Sequence, residues 1–442
     1  MFDVIIRGGQ VVTGQGIQRA DIGIAGERIE ALAAEISGPT RATINAAGLH
    51  IFPGVIDAHV HFNEPGRTEW EGIETGSKSV AAGGGTLFFD MPLNAHPPTL
   101  DAESFHLKRA AAEKVSFTDF ALWGGLTPSN LDRLEELARC GVIGFKAFMC
   151  NSGIDDFASV DEPSLREGMK RAAALKLPVA VHAESESMTA RLTREALARH
   201  RAGPRDFLDS RPIAAELEAI GRAIDLAGET GCQLHVVHVS CAAGVRRISN
   251  ARERGLNVTC ETCPHYLTLT GEDVEHLGGL AKCAPPLRSF REREGLWAEL
   301  LAGRIQTVGS DHSPCPPEMK QASDFFKLWG GISGAQHLLP LTLSRGDLPL
   351  MSQVLSTNVA QLFRLPHKGQ IAPGFDADLA FVKLGEEFEI KTGDLFYRHP
   401  QSPYVGRRVS ARVEQTFLRG QTIFNKGTIV GKPSGRLARP VV

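Results

Sequence analysis

Between residues 54 and 367, short apolar runs alternate with stretches of helical period, and this alternation limits the fold class more than any other feature of the chain. Eight runs read as strands: 55–59, 86–91, 117–123, 142–148, 178–182, 233–239, 257–261 and 305–310. Helical patterns at 69–82, 131–140, 165–175, 213–227 and 242–254 lie between most of them. Eight apolar strands interleaved with helices predict an α/β chain built as a (β/α)8 TIM barrel over 54–367. The flanks read differently. Residues 1–53 and 368–442 carry short alternating strands with glycine turns, such as Val4-Ile5-Ile6 and Asp21-Ile22-Gly23-Ile24 near the start and Thr428-Ile429-Val430 near the end. The two ends are expected to pair into one smaller β-sandwich domain.

A chain of 442 residues with 42% apolar and 22% charged side chains has ample material for such a core. A formal net charge of −3 gives no electrostatic case for nucleic acid or an anionic membrane. No uninterrupted apolar run reaches the roughly 18 residues that a bilayer span requires. Residues 1–15 include Asp3, Arg7, Gly8 and Gly9 and read as strand and turn, not as a secretory signal. Eight cysteines spread this thinly argue for reduced thiols, with a cytoplasmic location as the default.

In a TIM barrel the chemistry sits at the C-terminal ends of the strands. The first strand ends in Asp57-Ala58-His59-Val60-His61, where two imidazoles at i and i+2 share one face. The fourth carries Lys146, the fifth ends in His182, the sixth in His238 and the eighth in Asp311. Any one of these is readily explained as a hydrogen-bonded polar residue. Six on neighbouring strand ends point instead to a metal centre. Lys146 is not a metal ligand as an ammonium, and an apolar strand disfavours its charge. A neutral amine can add carbon dioxide to give a carbamate with two oxygen donors. The alternative is a lysine whose stem packs along the barrel while its head pairs with a carboxylate.

The order H-x-H, Lys, His, His, Asp, together with the β-strands at both ends, resembles the cyclic amidohydrolases of the amidohydrolase superfamily: dihydroorotases, hydantoinases and allantoinases. The likeness extends over nearly all 442 residues. It is strongest toward the allantoinases in four stretches: residues 59–72, Asp90-Met91-Pro92-Leu93-Asn94, Gly144-Phe145-Lys146-Ala147-Phe148 and Ser310-Asp311-His312-Ser313-Pro314-Cys315. The resemblance implies that His59, His61 and Asp311 hold one divalent ion, His182 and His238 a second, and carboxylated Lys146 bridges them. Zinc is the first expectation, with manganese, cobalt or iron open to the same donor set. Asp311 is the implied proton carrier, and the implied reaction is hydrolysis of the hydantoin ring amide of allantoin to allantoate. The resemblance also implies a homotetramer. Alternatives are a hydantoinase or dihydropyrimidinase, a dihydroorotase, and a catalytically dead barrel kept as a scaffold.

Two departures bear on substrate. Dihydroorotases typically place Arg two residues after the second His and a His four residues after the Asp; here these positions are Asn63 and Cys315, so a free carboxylate loses its charged contacts. Hydantoinases typically place Tyr five residues after the bridging Lys; here Asn151 stands there. Asn94, Asn151, Cys283, Ala284, Ser313, Cys315 and Gly330 are the expected substrate contacts, with Trp329-Gly330-Gly331 a candidate lid. Cys260-Glu261-Thr262-Cys263 reads as a buried strand, not a redox or zinc motif, because no second C-x-x-C accompanies it. His235 begins its strand and so sits at the wrong end of the barrel for ligation, while His312 follows a ligand and reads as its support.

Overall fold

The two β-rich ends are hydrogen-bonded to each other. In the computed structural model, which describes residues 1–441, five strands come from the N-terminal end: β1 (Phe2–Thr13), β2 (Gly16–Ala25), β3 (Arg28–Ala33), β4 (Thr40–Asn45) and β5 (His50–Pro53). Nine follow in the middle: β6 (Val55–Val60), β7 (Gly85–Asp90), β8 (Asp119–Leu122), β9 (Gly124–Gly125), β10 (Phe145–Phe148), β11 (Val179–His182), β12 (Leu234–Val236), β13 (Val258–Thr262) and β14 (Thr307–Val308). The C-terminal end adds β15 (Leu379–Glu389), β16 (Arg408–Leu418), β17 (Gln421–Asn425) and β18 (Thr428–Ile429).

β15 pairs antiparallel with β5, Leu379 opposite Pro53 and Phe381 opposite Ile51. This joins both ends in one nine-stranded sheet, ordered β18-β17-β16-β15-β5-β1-β2-β3 with β4 on β1. The sequence reading expected a sandwich; at the level of hydrogen bonding the strands form a single continuous sheet. β16 shows why such strands form: Val409, Ala411 and Val413 are buried while Arg408, Ser410 and Arg412 are exposed, a strict period of two.

The middle strands are buried at every position, as parallel strands covered on both faces must be. They form two parallel sheets, β6-β7-β8 and β9-β10-β11-β12-β13-β14. Ile143 N–H donates to the Leu122 carbonyl at 2.9 Å and Gly124 N–H to that of Gly144 at 2.9 Å, which stitches the two sheets at one seam. At the other, β14 returns to β6 through an isolated bridge, Val60 to His312, with His61 N–H on the His312 carbonyl at 2.8 Å. Helices lie between successive strands. The one over Ile213–Thr230 buries Ala215, Glu216, Ala219, Ile220, Ala223 and Ala227 along one stripe and stops at Gly231, whose φ of 67° suits a left-handed cap. Among the described residues no helix is long and apolar enough to cross a membrane.

The middle sheets and the terminal sheet are riveted by a buried ionic cluster at the N-terminal end of β8. Lys368 Nζ lies 2.7 Å from Asp119, 3.0 Å from Asp376 and 2.7 Å from Asp378. Arg419 pairs with Asp119 and gives its backbone N–H to Asp378 at 2.7 Å. Burial works against the lysine charge, but Asp378, Asp119 and Asp376 together hold the ammonium above its usual range.

Candidate metal centre

At the opposite ends of the parallel strands the polar atoms converge without satisfying one another. His59 on β6 receives its orientation from Glu261 on β13, whose Oε1 is 2.8 Å from His59 Nδ1. A carboxylate only accepts, so Nδ1 carries the proton and Nε2 presents a lone pair. That Nε2 faces Asp311 Oδ1 at 3.2 Å, and His61 Nε2 faces the same oxygen at 3.5 Å. Burial pushes His59 well below the usual imidazole range, so it stays neutral.

The second group repeats the logic. His182 Nε2 lies 2.8 Å from Glu184 Oε2, which also takes Arg211 Nη1 at 2.5 Å. Burial opposes the Glu184 charge, but Arg211 and His182 overcome it and hold the carboxyl down to about 2. The proton therefore belongs on His182 Nε2, and its Nδ1 turns to His238 Nε2 at 3.1 Å. The His182 ring stacks on Phe148, centroids 4.7 Å apart. The two groups adjoin, since the His59 and His238 rings are 5.4 Å apart.

Lys146 on β10 lines the same cavity, fully buried, with no hydrogen-bond partner for Nζ among the described residues. Burial lowers it to about 8 despite the pull of Asp311 and Glu261. Unpaired buried donors and acceptors are costly and rare. Here one lysine nitrogen, His61 Nδ1, His238 Nδ1 and one oxygen each of Glu261 and Glu184 lack partners within or directly behind one rim. Cations among the converging lone pairs, and a group carrying two oxygens on Nζ, fit this donor set.

Backbone strain marks the same place. β12 stops at Val236, short of the expected 239, and His238 adopts φ 43°. Asp311 lies three residues past β14 with φ 47°, and Asn63 and Asn94 have φ 63° and 69°. Positive φ is disfavoured for residues with a Cβ and persists where the surroundings enforce it, commonly at functional sites. It swings both ligand candidates back over the rim instead of letting them continue along the strand. Asp57 underpins this edge: one carboxylate oxygen accepts from Ser310 N–H at 2.9 Å and His59 N–H at 3.3 Å, and burial raises it to about 7.

A cavity of about 630 Å³ opens above the six residues and is lined by Asn94, Asn151, Cys283, Ala284, Ser313 and Gly330 among others. Asn94 Nδ2 reaches Ser313 Oγ at 3.4 Å, and Trp329 Nε1 donates to the Ser313 carbonyl at 3.1 Å. Asn151 Oδ1 accepts from Gly153 N–H at 2.8 Å, which holds the side chain at the cavity edge with its amide N–H₂ and one oxygen lone pair free. Cys315 departs from expectation. It is fully buried, is not part of the cavity lining, and gives its carbonyl to Gln401 Nε2 at 2.7 Å.

Sequence reasoning passed over Glu184, Glu261 and Arg211. Glu184 carried a signal, since it follows His182 at the i+2 spacing used to pair His59 with His61. Glu261 lay inside the C-x-x-C set aside as structural; Cys260 and Cys263 are indeed buried and free. Among the remaining histidines, His235 Nδ1 is taken by Thr259 Oγ1 at 2.8 Å, and His312 Nε2 lies 3.4 Å from Glu71.

A family profile described as "Amidohydrolase family" matches residues 50–423. A protein named allantoinase from Rubrobacter xylanophilus is 55% identical over 99% of this chain and 98% of its own length. Another of that name from Deinococcus radiodurans is 53% identical over 99% of both. Among solved structures, an L-hydantoinase (dihydropyrimidinase) from Arthrobacter aurescens superposes with a TM-score of 0.97 at 34% identity, covering 99% of this chain and 100% of its own. A dihydropyrimidinase from Brevibacillus agri gives 0.92 at 32% identity, covering 99% and 98%.

Proposed function

The chain belongs to the amidohydrolase family, and we propose that it is an allantoinase, a cyclic amidohydrolase that opens the hydantoin ring of allantoin to give allantoate. The observation that carries this reading is full-length identity above half to proteins of that name, on a chain whose four histidines, lysine and aspartate meet at one rim.

In this reading the two parallel sheets are the arcs of a (β/α)8 barrel at 54–367, and residues 1–53 and 368–442 form the smaller domain. His59, His61 and Asp311 hold one divalent ion, His182 and His238 the other, with carboxylated Lys146 between them; zinc is the metal expected. Bound ions supply Lewis-acid chemistry, making water nucleophilic near neutral pH and polarising an amide carbonyl. Asp311 accepts the proton from the nucleophile and delivers it to the leaving ring nitrogen. Its carboxylate oxygen stands 3.2 Å from His59 Nε2 and 3.5 Å from His61 Nε2, which supports its place among the metal ligands. Asn94, Ser313, Asn151 and Gly330, with the backbone at Cys283-Ala284, orient the ring; Cys315 is not among them. A homotetramer in the cytoplasm completes the reading.

The test compares turnover of allantoin, hydantoin, dihydrouracil and dihydroorotate by metal-reconstituted protein. Allantoin should be the preferred substrate, and Asp311→Asn should lower its turnover by about 10²–10⁴-fold. Preference for hydantoin or dihydrouracil would transfer the assignment to the hydantoinase class. Absence of turnover with all four would favour a scaffold.

A further inference from the structure

Glu261 is a fully buried carboxylate whose side chain makes one hydrogen bond, to His59 Nδ1. Its other oxygen, Oε2, has no partner among the described residues; the nearest cationic candidate, His235 Nε2, is 4.0 Å away. Elsewhere in the same interior, buried Glu216 is fully engaged, with Ser240 N–H at 2.8 Å, Ser240 Oγ and Arg288 Nη2 at 3.1 Å. Leaving half of a buried carboxylate unpaired costs stability, so Glu261 is poorly explained as a structural strut. The chain also makes room for it. A Cβ at Gly309 would lie 2.7 Å from Glu261 Oε2 and 2.8 Å from its Cδ, closer than real contacts allow. Gly309 sits two residues before Asp311, so the slot and the candidate ligand share one turn of chain.

We infer that Glu261 is a positioning residue for the metal centre: through Nδ1 it fixes the tautomer and ring plane of His59, and it thereby sets the affinity of the His59/His61/Asp311 site independently of the His182/His238 site. Glu184 holds His182 in the corresponding way, but its charge is shared with Arg211 at 2.5 Å, whereas no cation pairs directly with Glu261. The carboxylate without a cation polarises its imidazole more strongly, which makes His59 the better donor. The inference rests on the two-ion reading above.

The experiment is a chelator-competition titration of zinc on the full-length protein, wild type against Glu261→Gln, Gly309→Ala and Glu184→Gln. Glu261→Gln keeps shape and an acceptor but removes the charge, and should weaken one of two ions by about 10–100-fold while the other keeps its affinity. Gly309→Ala, which leaves Glu261 in place but crowds it, should weaken the same ion; Glu184→Gln should weaken the other. In metal-free protein with ¹⁵N-labelled histidine, the His59 proton should sit on Nδ1 in the wild type and distribute over both nitrogens in Glu261→Gln. Folded Glu261→Gln that binds both ions with wild-type affinity, or loses both equally, overturns the inference, as does an unchanged His59 tautomer. A wild type that binds no zinc sinks the two-ion reading itself and is distinct from either result.

Discussion

Lys146 and Lys368 are both buried ammonium-bearing side chains, one facing the cavity rim and the other at the N-terminal end of β8. Around Lys368 three aspartates lie within 3.0 Å. Around Lys146 no described residue accepts a hydrogen bond from Nζ; the Phe148 ring lies 5.0 Å from it. Their affinities for a proton move in opposite directions, Lys146 down to about 8 and Lys368 up. The same residue type thus serves as a rivet where its charge is over-compensated and stands bare where burial withholds compensation. Lys282 is a third case: its Nζ donates to the Phe326 and Leu328 carbonyls at 3.1 and 2.6 Å, with no carboxylate in contact among the described residues, and burial lowers it to about 7.

The sharpest way to break the contrast is to replace each lysine by methionine. Lys146→Met should abolish allantoin turnover and the second equivalent of bound metal, yet leave the metal-free melting temperature unchanged or raised, because a costly unpaired group is removed. A lower melting temperature, read by calorimetry, would make Lys146 structural. Lys368→Met should do the reverse: about 3–5 kcal/mol of stability lost by denaturant titration, since Asp119, Asp376 and Asp378 are left facing one another, with metal content per folded chain intact.

The smallest effect is a slope. Lys282 has a folded value of about 7 against an ordinary 10.5, so between those limits the unfolded chain binds the extra proton and stability rises with pH. Below about pH 7 the destabilisation is present in full, and above about 10.5 it is gone. Urea midpoints of metal-free protein at pH 7 and 9.5 should differ less in Lys282→Met than in the wild type. Lys368, whose value is raised, contributes stability that is complete below its unfolded value and lost only above it, so Lys368→Met should leave that slope alone. Equal slopes in wild type and Lys282→Met would show that the carbonyl cage compensates the charge fully.

Much of this was legible in the chain. Buried parallel strands are nearly continuous apolar runs, so the eight runs at 55–310 announce themselves, and the helix over Ile213–Thr230 follows from its apolar stripe. The six rim residues stand out because histidine, lysine and aspartate are out of place at apolar strand ends. Glu184 was marked by its i+2 spacing from His182, whereas Glu261 and Arg211 did not stand out, because each is recognisable only by the distant atom it faces. Cys315, two residues beyond Ser313, is buried and outside the cavity lining, and burial at one position of a loop carries no mark in the residue order.

Local physics written in the residue order settled the alternation of strand and helix, the β character of both ends, and which side chains have the chemistry to hold metal. Tertiary structure alone decided which nitrogen of His59 and His182 bears the proton, that Lys146 is left bare while Lys368 is surrounded, and that His238 and Asp311 bend back through positive φ. Apart from His182 and its near neighbour Glu184, those outcomes depend on groups far apart in the chain, as His59 and Glu261 are, and hydrogen bonding and desolvation between such groups leave no periodic trace in the sequence.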